Sequence, residues 1–276
     1  MTTGLVLSGG GIRGVAHIGA IKALEENGIY PSYIAGTSAG AIVGALYAAG
    51  LSCEEMLNFF KTTEIFSLNN YAKGKPGFLD TEKFYDQFKA HLPQDTFESL
   101  EKPLYITATN LLDGTLKVFS RGELIKPILA SAAVPGLFAP VKIKNGYYVD
   151  GGTLNNFPVD LIRLFCDRIV GIYVNPFNKV SVQDLNRVDK ILERAYHVMM
   201  ANETTLKFKD CDLLIRPSNM EHFGMFSLKN LESLYHLGYE AATKALKDSP
   251  LSSELLKAAE LEAMNGFSID ASHAQN

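Results

Sequence analysis

The chain has 276 residues, with 26 Lys and Arg against 30 Asp and Glu and a formal net charge of −4 at pH 7. At 47% hydrophobic and 20% charged residues, it has the composition of an ordinary globular protein, long enough for one large α/β core. A pI near 5.9 gives no electrostatic footprint for nucleic acid. The three widely spaced cysteines, Cys53, Cys166 and Cys211, form no CxxC pair and no metal pattern, and read as reduced core residues of a cytoplasmic protein.

In chain order, the N-terminal Met-Thr-Thr-Gly lacks the basic start of a secretory signal, and residues 4–8 (GLVLS) read as a buried strand. A glycine loop follows, then a helix with Val15, Ile18, Ile21 and Leu24 on its apolar face and a stop at Asn27-Gly28. Residues 33–35 form a second strand that ends in a tight turn before an apolar helix over 41–49. This βαβα order predicts a parallel strand pair. The longest nearly apolar stretch, 39–51, is too short to span a bilayer, so any membrane contact is expected to be peripheral.

Further on, helices are predicted over 54–60 and 81–92, with a polar glycine-bearing loop at 69–77 between them. A strand at 104–109 turns at Asp113-Gly114 into 116–120, and a helix spans 123–133 despite Pro127. Residues 141–143 and 147–149 flank the hairpin signal Asn145-Gly146. A helix over 158–165, a strand at 169–174, an amphipathic helix over 184–209, a strand at 212–216 and a helix over 228–247 complete the pattern. The expected fold is α/β: a three-layer α/β/α sandwich around a central, mostly parallel sheet. Residues 1–248 read as one catalytic domain and 249–276 as a helical or poorly ordered tail.

Three segments carry chemistry. Gly36-Thr37-Ser38-Ala39-Gly40 is a G-x-S-x-G between a strand and a helix, the setting in which the pattern lifts a serine hydroxyl toward a substrate. Gly9, Gly11 and Gly14 fit G-x-G-x-x-G after a strand. A dinucleotide site would need a carboxylate at the end of the second strand, and that strand instead ends in Ser38. Consecutive glycines at a helix start also present backbone N–H groups to an anion, which acyl transfer needs for its tetrahedral oxyanion. The plain alternative is a tight turn with no ligand. The third segment, Asp150-Gly151-Gly152, puts a carboxylate at a strand end with two flexible residues behind it; taken alone it is more often a turn.

Together and in this order, the segments resemble the patatin-like phospholipase family, with support from 130–140 (ASAAVPGLFAP) and from the GxRGxAHIG form around His17. The resemblance covers about residues 4–217. It implies a patatin-like fold and a serine–aspartate dyad, with Ser38 attacking an ester carbonyl and Asp150 accepting its proton. It also implies an oxyanion hole in the loop of Gly9, Gly10, Gly11, Ile12, Arg13 and Gly14, with the N–H groups of Gly10, Gly11 and Ile12 as donors. Gly36, Gly40, Gly151 and Gly152 would support the motifs. The product would be a free fatty acid released from an acyl-enzyme, and no metal or cofactor is implied.

An exposed Asp, with a pKa of about 3.9, is a poor base for a serine. Asp150 is therefore expected in a dry pocket within hydrogen-bond reach of Ser38. The rivals are a Ser-Asp-His esterase using His222, a non-catalytic lipid-binding or regulatory protein on the same fold, and a nucleotide-binding protein. His17 reads as a packing or polar-satisfaction residue. A lipid or other acyl ester is the expected partner; Lys73 and Lys75 could favour anionic headgroups, and residues 59–79 and 221–228, including Phe223, Met225 and Phe226, could line an acyl groove or touch a bilayer.

Overall fold

The computed structural model describes residues 1–63, 81–175, 179–224 and 230–249. Its centre is an eight-stranded sheet made of β1 (Thr3–Leu7), β2 (Tyr33–Thr37), β3 (Leu104–Asn110), β4 (Leu116–Phe119), β5 (Val141–Ile143), β6 (Gly146–Asp150), β7 (Arg168–Ile172) and β8 (Leu213–Ile215). The spatial order is β5-β6-β3-β2-β1-β7-β8, with β4 also paired to β3. The run from β3 to β8 is parallel, and the β4, β5 and β6 pairings are antiparallel. Both Asp-Gly and Asn-Gly signals therefore join antiparallel strands, as their turn chemistry predicts.

Alternation along the strands sorts side chains to two faces. Leu5, Leu7, Ile34, Val170 and Ile172 join the larger core, whereas Val6, Ala35 and Ile169 join a smaller one. The larger core is covered by helices α1 (Val15–Glu26), α2 (Ala39–Ala48), α3 (Cys53–Thr62), α4 (Tyr85–His91), α5 (Ile125–Ser131) and α7 (Leu231–Lys247). Pro127 stands at the third position of α5, where the missing N–H has no intrahelical partner to lose.

The smaller core corrects two expectations. Residues 158–165 are not an α-helix but two 3-10 turns, Val159–Leu161 and Arg163–Phe165. A 3-10 turn advances farther per residue, and this short link crosses the sheet while turning Phe157, Val159 and Ile162 onto it. The helix expected over 184–209 is also interrupted. A Ser181–Asp184 capping box closes the turn Val182–Leu185, Arg187 is extended, and α6 runs Val188–Lys207. The thiols of Cys53 and Cys211 are pushed up to about 12, chiefly by burial, in keeping with unreactive core cysteines. No described helix is long and apolar enough to cross a membrane, and residues 250–276, which hold nearly all of the expected tail, lie outside the described residues.

Helices α1 and α7 approach backbone to backbone. A Cβ added to Gly238 would stand against the carbonyl of Ala16, and one added to Gly19 against the carbonyl of Tyr235. Neither obstacle is a movable side chain. Gly238→Ala is therefore expected to destabilise the protein by about 1–3 kcal/mol, more than the roughly 1 kcal/mol that alanine gains in helix propensity. Urea unfolding checks this, and a variant more stable than wild type would contradict the close crossing.

Candidate active site

Strand register brings the two candidate residues together. On β3, β2 pairs as far as Thr37 opposite Thr107, and β6 pairs Asp150 opposite Ala108. Strand β4 overlaps both stretches of β3, so β2 and β6 must share the opposite edge. Their ends meet there, and the residue after Thr37 is Ser38. Two segments 112 positions apart in sequence thus converge because one strand edge hosts two strands in succession.

Ser38 caps α2 with φ 55° and ψ −122°, a left-handed backbone that a non-glycine residue holds only under constraint. The constraints are visible. The Ser38 N–H donates to Ser131 Oγ at 2.8 Å, and the first turn of α2 closes with Ala41 N–H on the Ser38 carbonyl at 2.9 Å. Gly36 and Gly40 cross so closely that a Cβ on Gly36 would meet the Gly40 carbonyl, and one on Gly40 would meet the carbonyls of Leu7 and Ser8. Ser38 itself is only 5% exposed.

Asp150 is 2% exposed. Burial pushes its carboxyl up to about 7, while hydrogen bonds from the Ser38 hydroxyl and the Gly152 N–H pull it the other way; the latter is 2.7 Å long. Asp150 is thus dry and close enough to the Ser38 hydroxyl for the two groups to interact. The Asp150 N–H donates to the Ala133 carbonyl at 2.9 Å, so the stretch around Ser131 and Ala133 braces both residues. Met200 of α6 covers the same turn, its sulfur 3.1 Å from where a Gly152 Cβ would stand, and Tyr196 of α6 lies close enough to feel the Asp150 charge.

The glycine loop lies beside Ser38. A Cβ on Gly9 would stand 3.0 Å from Ser38 Cβ, and one on Gly14 would stand 2.5 Å from Ala39 Cβ. Gly11 has φ 57°, which favours glycine. The loop closes as a 3-10 turn, Gly11–Gly14. Its donors are not equivalent. The Gly9 N–H is bonded to the Asn156 carbonyl at 3.2 Å and the Arg13 N–H to the Gly10 carbonyl at 3.2 Å. Gly11 and Ile12, at the start of the turn, have no intrahelical acceptor, and with Gly10 they are the candidates for an anion.

Arg13 ties the loop to distant chain. Its Nε donates to the Phe223 carbonyl at 2.8 Å and Nη1 to Asn175 Oδ1 at 3.2 Å. His17 is fully buried, and its Nε2 lies 2.8 Å from the Ser8 carbonyl, to which it donates. Burial lowers its pKa to about 4, so it is a neutral support under the loop, as its sequence position suggests. His222 lies at the surface with a side chain 73% exposed and 3.8 Å from Glu221. Phe223 packs half-buried against the main core; Met225, Phe226, Lys73 and Lys75 lie outside the described residues.

An apolar cavity of about 20 Å³ opens at Ser38 and Gly11, walled by Ile42, Phe60, Phe84, Phe88, Leu129 and Phe138. These side chains belong to the main core, as does Phe59, which does not line the cavity. Sequence reading missed several supports. Thr37 Oγ1 meets Thr107 Oγ1 at 2.6 Å and donates to the Asn155 carbonyl at 2.9 Å; the 130–140 run drew in Ser131 without its role, and Asn156 had no role assigned. Only the spacing of 155–158 (NNFP) after Asp150-Gly-Gly offered a signal for the last of these.

Fold and site together define an α/β protein with a strained serine turn, a buried carboxyl beside it and a glycine loop alongside. A family model described as patatin-like phospholipase matches residues 5–162, and the chain belongs to that family. It is 28% identical over 283 residues to Lysophospholipase NTE1 of Mycosarcoma maydis, covering 89% of this chain and 15% of the relative. It is 38% identical over 158 residues to an uncharacterised NTE family protein of Mycobacterium bovis, covering 56% of this chain and 44% of the relative. The chain thus spans less than half the length of these curated relatives. Among solved structures, VipD from Legionella pneumophila superposes with a TM-score of 0.53 at 15% identity, over 90% of this chain and 67% of that one, a likeness of fold.

Proposed function

We propose that this chain is a serine acyl hydrolase that cleaves lipid acyl esters through a Ser38–Asp150 dyad and an acyl-enzyme, releasing free fatty acid. The observation that carries the reading is the burial of Asp150 beside Ser38, which raises its carboxyl to about 7 against the pull of the Ser38 hydroxyl, with Ser38 at the mouth of an apolar cavity. A base with a pKa near the working pH takes a proton effectively and returns it. In acylation Asp150 removes the Ser38 proton as Oγ attacks the ester carbonyl. The N–H groups of Gly10, Gly11 and Ile12 hold the oxyanion, and the proton passes to the leaving alcohol. The acyl chain is directed at the apolar side chains Phe60, Phe84, Phe88 and Phe138, which must part to admit it, because the cavity between them measures only about 20 Å³. Family membership and the name of the fungal relative favour a lipid ester. Contact with a membrane surface would be peripheral.

The test is a panel of phospholipids, lysophospholipids, acylglycerols and short-chain esters, with Ser38→Ala as control. Hydrolysis of one or more by wild type and none by the variant is expected; no hydrolysis by either would favour a lipid-binding role. His222→Ala is expected to retain most activity, because this exposed ring has Glu221 as its neighbour. A loss equal to that of Ser38→Ala would restore the Ser-Asp-His reading.

A further inference from the structure

We infer that Tyr196 and Met200 of α6 are positioning residues that seal Asp150 from water; the role of Asp150 as a base rests on the acyl-hydrolase reading above. Asp150 ends β6, and the turn Gly151–Thr153 follows it. The two glycines give the carboxyl no side chain of its own turn as cover. The cover comes from α6. The Met200 sulfur lies 3.1 Å from the point where a Gly152 Cβ would stand, and Asp150 Oδ1 lies 3.0 Å from the same point. Met200 is 6% exposed. One turn earlier, Tyr196 packs against the main core with its hydroxyl buried, close enough to feel the Asp150 charge. Positions four apart share one face of a helix, so the two side chains reach the carboxyl side by side.

The rest of α6 keeps this pair in register. Thr204, one turn further on, is buried. Lys207 Nζ donates to Asn155 Oδ1 at 2.8 Å and to Asp160 Oδ1 at 3.0 Å, two residues that follow the Asp150 turn in sequence. The described side chains over 179–192 are all exposed, so α6 meets the protein through its second half, where Tyr196 and Met200 stand.

The effect of such a cover is electrostatic. A carboxylate that loses hydration favours its protonated form, and burial is the largest cause raising Asp150 to about 7. Hydrogen bonds from the Ser38 hydroxyl, at the head of α2, and from the Gly152 N–H lower it; no charged side chain among the described residues contributes. From α6, the Tyr196 phenol feels the carboxylate, and burial, then that charge, holds the phenol well above its ordinary range, so it stays neutral. The basicity of Asp150 therefore depends on how dry α6 keeps it. Truncating Met200 to alanine removes the sulfur and the carbons on either side of it. That leaves room for a water, whose share of liquid volume is about 30 Å³, with Asp150 Oδ1 and Asn156 Oδ1 at its border. A hydrated carboxylate returns toward its ordinary pKa and is a weaker base.

The experiment compares wild type, Met200→Ala and Met200→Leu by the pH dependence of kcat/KM on a soluble p-nitrophenyl ester and by thermal melts from pH 4 to 8. Wild type should rise through an apparent pKa near 7, and so keep about a hundredth of its plateau rate at pH 5. Met200→Ala should have its apparent pKa lowered by about one unit or more, keep about a tenth or more of its own plateau at pH 5, and reach a lower plateau. Met200→Leu refills the volume and should hold the apparent pKa near that of wild type. Tyr196→Phe, which keeps the ring, should follow Met200→Leu, and Tyr196→Ala should follow Met200→Ala. If Met200→Ala fails to fold, Met200→Val removes less and must move the profile the same way. The melts read the same group without turnover. A carboxyl whose pKa is raised by folding contributes stability that is lost as pH rises through its folded pKa. Relative to its own value at pH 4, Met200→Ala should therefore melt higher at pH 8 than wild type does, the His17 slope being common to both. A uniform fall in rate and melting temperature at every pH, with the apparent pKa unmoved, would overturn the inference, as would a shift in Met200→Leu equal to that in Met200→Ala. Failure of the underlying reading looks different: wild type would show no hydrolysis that depends on Ser38, while the melts would still separate the variants.

Discussion

Asp150→Asn is expected to lower ester hydrolysis by roughly three to four orders of magnitude or more, the scale on which removing a member of a catalytic unit acts, while making the protein more stable above pH 7. The amide keeps an oxygen for the Gly152 N–H but cannot accept the Ser38 proton. The gain in stability follows from linkage. The Asp150 carboxyl is raised from 3.8 to about 7 by burial, so between those values the folded protein holds a proton that the unfolded chain has released. Stability from this group is therefore fully present below pH 3.8, falls as pH rises toward 7 and stays low above it. The asparagine variant escapes this loss, which is on the order of a few kcal/mol at about 1.4 kcal/mol per pKa unit. Its melting temperature should exceed that of wild type by several degrees at pH 8, and the difference should shrink to little at pH 4.

His17 runs in the opposite sense. Its folded pKa, lowered from 6.5 to about 4 by burial, means that the unfolded chain binds the proton first, so stability falls as pH drops from 6.5 to 4. In wild type the two slopes oppose each other; in Asp150→Asn the His17 slope should stand uncovered, and thermal melts across pH 4–8 read both. The same carboxyl predicts that kcat/KM of wild type rises through an apparent pKa near 7 and levels above it, because the base must be ionised to act.

The second large effect is expected at Gly40. A Cβ there would meet the carbonyls of Leu7 and Ser8. These are backbone atoms of β1 and of the start of the glycine loop, so no side chain can swing aside. Gly40→Ala should cost about 2–3 kcal/mol or more, as overpacking of fixed atoms does. It should also lower activity at least about a hundredfold, because a displacement near 1 Å disturbs attack geometry by that much. Circular dichroism melts and hydrolysis of a soluble ester check both parts; a variant with wild-type melting and wild-type rate would contradict the crossing of Ser38's turn over β1.

Much of this was legible from residues 1–50, because hydrophobic period, cap signals and glycine spacing agree there. The Asn27-Gly28 stop falls where α1 ends, with Gly28 at φ +73°, and both hairpin signals sit between paired strands. Local signals failed where tertiary demands ruled. The apolar residues of 157–162 must reach the sheet from a short link, and 3-10 turns replace the predicted helix. The candidate nucleophile and base were legible because each carries its own motif. The roles of their supports were not: Ser131 lies in the 130–140 run and Asn156 just after Asp150-Gly-Gly, but what they and Thr107 hold depends on the succession of β2 and β6 along β3. The same limit applies to the donors. The glycine motif marked six residues alike, yet the Gly9 N–H is taken by the Asn156 carbonyl, a partner 147 positions away.

The central claim is that Ser38 is a nucleophile activated by Asp150. Its most direct test is treatment of the full chain with a fluorophosphonate ester, followed by intact mass and peptide mapping. One adduct per chain on Ser38 is expected, absent from Ser38→Ala and slowed by orders of magnitude in Asp150→Asn. Labelling at another residue, or labelling of Ser38 that does not depend on Asp150, would contradict the account.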